Sequence, residues 1–145
     1  MTANALHHRV PLGFFRNFVL VNGGQNKDTM DLKHNGLTPI SDMARIYALA
    51  ESIPNVNTAE RLKKASGTHS LSVSGANNLL DAYAFISRLR MQHQARQIQR
   101  GEQADNFISP EKLSALEREH LKDAFKVIQT MQLALENRFK AHHMG

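Results

Sequence analysis

The sequence predicts an all-α fold: an antiparallel, up-and-down bundle of about four to five helices behind an irregular N-terminal segment. Three observations predict it. Alternation of period two is almost absent after residue 37, and apolar residues recur there every third or fourth position. Two of the resulting stripes are long, and each needs a partner surface to become dry, which an antiparallel bundle supplies. Helix caps and chain breakers fall where the stripes begin and end.

The elements follow in order. Gly13-Phe14-Phe15-Arg16-Asn17-Phe18-Val19-Leu20 is apolar enough for a buried helix or strand. Asn22-Gly23-Gly24-Gln25-Asn26 is a turn-rich break, and Met30-Asp31-Leu32-Lys33 reads as a short extended piece. Thr38-Pro39 reads as an N-cap with proline at the first helical position, opening a helix through Met43, Ile46, Tyr47 and Ala50 that stops before Ile53-Pro54. Asn57-Thr58-Ala59-Glu60 resembles a capping box; its helix turns Leu62 inward and ends at Gly67. Residues 67–75 form a polar connector.

A long helix is expected from about Ala76 to Arg100, closed by Gly101, with a stripe of Leu79, Ala82, Ile86, Leu89 and His93. Residues 101–110 form a loop with Asp105-Asn106-Phe107 at its centre, and Ser109-Pro110 starts a short helical turn. Ser114-Ala115-Leu116-Glu117 is a capping box for a last helix reaching roughly Lys140, striped with Leu121, Ala124, Ile128, Met131, Leu135 and Phe139, and with Phe125 on the flank. One domain over 11–140 is expected, between flexible tails at 1–10 and 141–145.

Composition narrows the function. The chain has 145 residues, 41% hydrophobic and 21% charged, which is ordinary globular usage and enough for a core. It has no cysteine, so thiolate metal sites, disulfides and a cysteine nucleophile are excluded. Its apolar runs are far too short for a membrane span, and Met1–Val10 lacks the apolar stretch of a signal peptide, so a cytoplasmic setting is expected. The net charge of +5 suits anionic partners without demanding nucleic acid, because the aromatics sit in core-like positions and are not interleaved with the basic residues.

Catalytic motifs are missing. There is no phosphate loop, no Gly-x-Gly-x-x-Gly and no Gly-x-Ser-x-Gly, and Gly23-Gly24 is only a flexible turn. Asp28 and Asp31 stand three apart and invite a metal test, but no Asp-x-Asp pair places two carboxylates on one strand face. His7-His8 and His142-His143 read as solvated chain ends. His93 is more informative, because it continues an apolar stripe with Arg90, Gln94 and Gln97 within a turn of it. It is either a buried histidine satisfied by a neighbour or part of a polar pocket at one end of the bundle. Arg88, Arg90, Arg96 and Arg100 make that half of the helix basic; a solvated face is the default and an anion site the alternative.

A wider pattern points further. Pro11-Leu12-Gly13-Phe14-Phe15-Arg16, Asp31-Leu32-Lys33, Gly36-Leu37, Pro39-Ile40, Ala44-Arg45, Asn57-Thr58 and Arg61-Leu62 run in one order with Asp81-Ala82, Leu89-Arg90, His93-Gln94, Gln97, Asp105-Asn106, Leu116-Glu117-Arg118, Leu121-Lys122 and Ala124-Phe125. The series resembles the nucleotidyltransferase substrate-binding domain of bacterial signalling proteins, over roughly residues 11–139. The sequence departs from that pattern at Asn26 and Ala104, where the family often has histidine and proline.

The resemblance implies a helical module beside a separate nucleotidyltransferase domain similar to the nitrogen-regulatory uridylyltransferase. It also implies cyclic-nucleotide-binding-like and CBS domains in the parent chain. Magnesium and a nucleoside triphosphate would sit on the catalytic domain, with no cofactor on this chain. The residues expected to face the shared cleft are Arg16, Asp31, Lys33, Arg45, Arg90, His93, Gln94, Gln97 and Asn106, with a nucleotide or a protein as acceptor. Asp31 is also a candidate helix cap and Arg45 its candidate ion-pair partner. The competing reading is a docking or homodimerisation module for the sensor domains, with no ligand of its own. Arginines clustered around a concavity favour the first; scattered arginines and an exposed apolar patch favour the second.

Overall fold

The computed structural model of the chain describes residue 18 and residues 20–144, with side chains as far as residue 141. Arg16, the N-terminal tail, His7-His8 and most of the 13–20 segment lie outside the described residues. A short strand β1 (Met30–Asp31) leads through a π-helical turn (Lys33–Leu37) into α1 (Thr38–Ala50). Helices α2 (Thr58–Ala65) and α3 (Val73–Gln99) follow, then β2 (Phe107–Ile108), a 3-10 turn (Pro110–Lys112) and α4 (Ala115–Met144). The all-α expectation holds, with one miniature antiparallel ribbon added: Met30 pairs with Ile108 and Asp31 with Phe107.

Helices α3 and α4 run antiparallel. The Cα–Cβ direction of Gly75, near the start of α3, meets Met131 late in α4, whereas Phe85, further along α3, stacks on His120 early in α4 with ring centroids 3.7 Å apart. The predicted α3 stripe is buried throughout, from Leu79 to His93. On α4, Leu121, Ala124, Ile128 and Leu135 are buried as expected, while Met131 and Phe139 are half-buried. Phe125 is fully buried at the centre, not on the flank, and Phe18 packs edge-on against it at 6.1 Å. Leu32 and Ile40 enter the same core from the π turn and α1.

The helix ends follow local chemistry, with three differences from expectation. Thr38 does not cap α1: it already has helical angles, and its amide bonds the Lys33 carbonyl. Entry to the helix is instead capped by Asp31, whose Oδ1 accepts the amides of Lys33 (3.1 Å) and His34 (2.9 Å). The turn between cap and α1 is wide because Leu37 N–H reaches back five residues to the Leu32 carbonyl at 3.0 Å. Gly36 lies in this turn, and a Cβ there would fall 3.2 Å from Ile86 Cγ2.

The second difference concerns α3, which starts three residues before Ala76. Ser72 Oγ accepts the Gly75 amide at 3.0 Å, a cap hidden inside a stretch that reads as polar connector. That connector is anchored as well as polar: Leu71 is buried, Glu51 Oε1 accepts from Ser70 Oγ at 2.9 Å, and Arg138 donates to the carbonyls of His69 and Ser70. Third, α4 continues as far as Met144.

Other caps match their sequence signatures. Asn57 Oδ1 accepts the Glu60 amide at 3.1 Å, although the Glu60 carboxylate turns to Asn55 and leaves the box half made. Ser114 and Glu117 form the full reciprocal box, at 2.8 and 3.1 Å. At the end of α3, Gly101 adopts φ +75°, and the amides of Gly101 and Glu102 bond the carbonyls of Ile98 and Gln97 in a Schellman arrangement.

Candidate functional site

The C-terminal half of α3 carries Arg90, His93, Gln94 and Gln97, whose spacing of three, four and seven residues puts them on one face. All four meet the same short segment, Asp105-Asn106. Arg90 Nε donates to Asn106 Oδ1 at 2.5 Å, and Gln94 Nε2 donates to the Asp105 carbonyl (3.1 Å) and to Asn106 Oδ1 (3.2 Å). His93 Nε2 lies 3.3 Å from Asp105 Oδ1. Gln97 Oε1 accepts the Asp105 amide at 2.9 Å.

The segment closes on itself and on the ribbon. Asp105 Oδ1 accepts the Phe107 amide at 3.0 Å, and the Asn106 carbonyl accepts Leu32 N–H at 2.9 Å, one residue beyond β1. Partial burial pushes the Asp105 carboxyl upward, but hydrogen bonds from Phe107, Gln97 and His93, together with the charge of His93, outweigh it and hold the group below its ordinary value. Among the described residues, no buried polar side-chain atom lacks a hydrogen-bond partner. The first reading of His93, a buried histidine satisfied by a neighbour, therefore holds: its partner is Asp105.

A polar concavity lies beside this bond. His93 and Gln97 also form part of the wall of a concavity of about 300 Å³, completed by Arg96, Arg100, Ile108 and Lys112. The three cations are exposed and have no ion-pair partner among the described residues. Two other concavities differ in character. The one between α1 and α4 is mostly apolar, and its Arg138 is occupied by the carbonyls of His69 and Ser70. The groove between α3 and α4 mixes Asp123 with Lys126.

The remaining expected residues divide. Asp31 reaches the site through its pairing with Phe107, but its carboxylate is occupied in capping the π turn and in contacting His34 Nδ1 at 3.1 Å. Lys33 is exposed on the same turn. Arg45 is not brought there: it sits on α1, 3.9 Å from Asp42, and does not pair with Asp31. No group of three or more His, Asp or Glu side chains placed to hold a metal ion occurs among the described residues. No described helix is long and apolar enough to cross a membrane.

Sequence reasoning missed Lys112 and Ile108 as wall residues. The only signal was the Ser109-Pro110 turn, which shows that the chain reverses there but not what it reverses against.

Comparison with known proteins sets this geometry in a family. A family model described as "Putative nucleotidyltransferase substrate binding domain" matches residues 1–139. The chain belongs to that family. No curated protein and no solved structure matches it. In this family member, Arg90, His93, Gln94 and Gln97, which carry part of the resemblance, bind Asp105 and Asn106, and His93 and Gln97 also line the basic concavity.

Proposed function

We propose that this chain is the non-catalytic substrate-binding and regulatory domain of a bacterial signal-transduction nucleotidyltransferase, lining the cleft beside a separate catalytic domain. One observation carries the reading: Arg96, Arg100 and Lys112 gather around one concavity, whose wall is held in place by the bonds from α3 to Asp105 and Asn106. Clustered cations around a concavity are what a substrate wall needs. Electrostatic positioning is a large part of nucleotidyl transfer, so a neighbouring domain contributes to it without holding the metal.

In this reading the residues share the work unequally. Arg90, Gln94 and Asn106 shape the wall, since their polar groups are already bonded to one another or to the loop. The free cations face the substrate. Lys33, exposed on the π turn, extends the positive field. Magnesium and the nucleoside triphosphate belong to the catalytic domain of the parent chain, in the cytoplasm. CBS and cyclic-nucleotide-binding-like domains supply the sensory input, and a nucleotide or a protein is the acceptor.

The test is a titration of the chain with ATP, UTP, CTP and GTP, with and without magnesium, followed by amide NMR shifts. Localised shifts around Arg90–Arg100 and Asp105–Lys112 are expected. Saturating nucleotide with no shift among residues 20–141 overturns the substrate wall and leaves a docking or dimerisation module.

A further inference from the structure

We infer that the concavity between the end of α3 and the 3-10 turn is a phosphoryl subsite, filled by the phosphate group of a small-molecule substrate and not by its base or sugar. The inference rests on the substrate-wall reading and names the chemistry of its ligand.

Size comes first. About 300 Å³ is at the lower end of small-molecule sites. It suits a phosphate with its immediate surroundings better than a whole nucleotide. Charge comes second. The wall holds two guanidinium groups and one ammonium, and no carboxylate lines it among the described residues. Arg96, in the last turn of α3, and Arg100, its C-cap, are four residues apart, a like-charge spacing whose repulsion an anion held between the two groups would relieve. Guanidinium forks suit the oxygens of phosphate, and a lysine adds a point charge from the other side.

Two features of the wall decide whether an anion is welcome. The negative end of α3 would oppose one, but the carbonyls of Arg96, Gln97 and Ile98 there are already bonded by the amides of Arg100, Gly101 and Glu102. Ile108 is 2% exposed and gives the concavity an apolar side. Asp105, the nearest carboxylate in the network, is turned to His93 and the Phe107 amide and is not part of the lining.

The phosphate has two sources, a nucleotide or a simple phosphomonoester, and the experiment separates them. Amide NMR titrations would use inorganic phosphate, tripolyphosphate, ATP and glycerol 3-phosphate, with adenosine and uridine as phosphate-free probes. The phosphate-bearing probes are expected to shift residues 96–101 and 108–112, and the nucleosides to leave them unmoved. Tighter binding of ATP than of glycerol 3-phosphate assigns the subsite to the nucleotide, and the reverse assigns it to a phosphorylated acceptor.

Variants guard against diffuse attraction to a basic protein. R96Q/R100Q should weaken tripolyphosphate binding at least tenfold, and K112Q should weaken it severalfold. K63Q/K64Q removes the same two charges from exposed positions on α2 and should change binding less than twofold. Thermal unfolding by circular dichroism checks that each variant folds, and K112Q tests the subsite without altering α3. Equal weakening in the two double variants overturns the inference. So do phosphate-driven shifts that avoid residues 96–112. Nucleosides that shift 90–106 while phosphate probes leave 96–112 unmoved overturn the subsite and keep the substrate wall. No shift with any probe, ATP included, overturns both.

Discussion

Gln97 holds Asp105 by the backbone: its Oε1 accepts the Asp105 amide at 2.9 Å, from a side chain only 8% exposed. A loop of mainly polar residues is thereby fixed by the last turn of α3. The bond links the end of α3 to the start of β2, and so joins the two sides of the basic concavity.

Replacing Gln97 by leucine keeps the volume and removes the acceptor. The Asp105 amide then loses its partner, at a cost of about 1–3 kcal/mol. Urea denaturation should show this loss, and hydrogen exchange at the Asp105 amide should quicken. A change below about 0.5 kcal/mol would mean that water replaces the side chain without penalty.

Acid should weaken the same junction. Asp105 is held below its ordinary carboxyl value of 3.8 in the folded protein: burial raises it, and the bonds from Phe107, Gln97 and His93 more than compensate. The unfolded chain therefore takes up this proton first as pH falls. The stabilisation is fully present above the ordinary value and is lost as pH drops through the lower, folded value. Asp105→Asn should flatten the stability profile on the acid side of the ordinary carboxyl value. An unchanged acid limb would place the lost stability at other carboxylates.

Gly36 tests the packing behind the site. Alanine there places a methyl 3.2 Å from Ile86 Cγ2 and 3.3 Å from Cδ1, tighter than the core accepts without movement. Gly36→Ala should destabilise by about 1–3 kcal/mol through overpacking. Trimming the neighbour in Gly36→Ala/Ile86→Val should recover part of that, giving a favourable coupling in a double-mutant cycle. Calorimetry on the four proteins decides it, and strict additivity would show that the contact is relaxed elsewhere.

Alkali acts on the other side of the bundle. Burial pushes the Tyr47 phenol up to about 12, with Arg138 pulling it slightly back. The folded protein keeps this proton when the unfolded chain has released it, so the stability it contributes is intact below about pH 10 and is lost as pH rises towards 12. Tyr47→Phe should remove that part of the alkaline loss while leaving Tm near neutrality within a few degrees. A drop equal in both proteins would assign the transition to lysines.

What the sequence made legible was the local chemistry. The α3 stripe from Leu79 to His93, the Ser114–Glu117 box and the Gly101 stop each depend on residues within about one turn of each other. Ser72 was obscured because its cap lies in a polar run, where serine is unremarkable. Thr38 misled because threonine before proline is a common cap, whereas Asp31, seven residues earlier, already opens the helical path through the π turn.

The site was legible only along α3. Arg90, His93, Gln94 and Gln97 announce one face by spacing, but nothing in that spacing shows that the face meets Asp105 and Asn106. Lys112 and Ile108 join through a chain reversal set by the ribbon, a pairing of segments far apart in sequence. Arg45 entered through the resemblance, and an ordered series of residues does not show on which helix face each will stand.

The ribbon also determines what the wall of the concavity is tied to. Ile108 lines the concavity and pairs with Met30, while Asn106, bonded to α3, holds the amide of Leu32. The wall is therefore tied to β1 as well as to α3, and through Leu32 to the π turn, whose Gly36 lies close to Ile86 and Phe125. Two residue pairs thus connect the basic wall to the N-terminal side of the bundle.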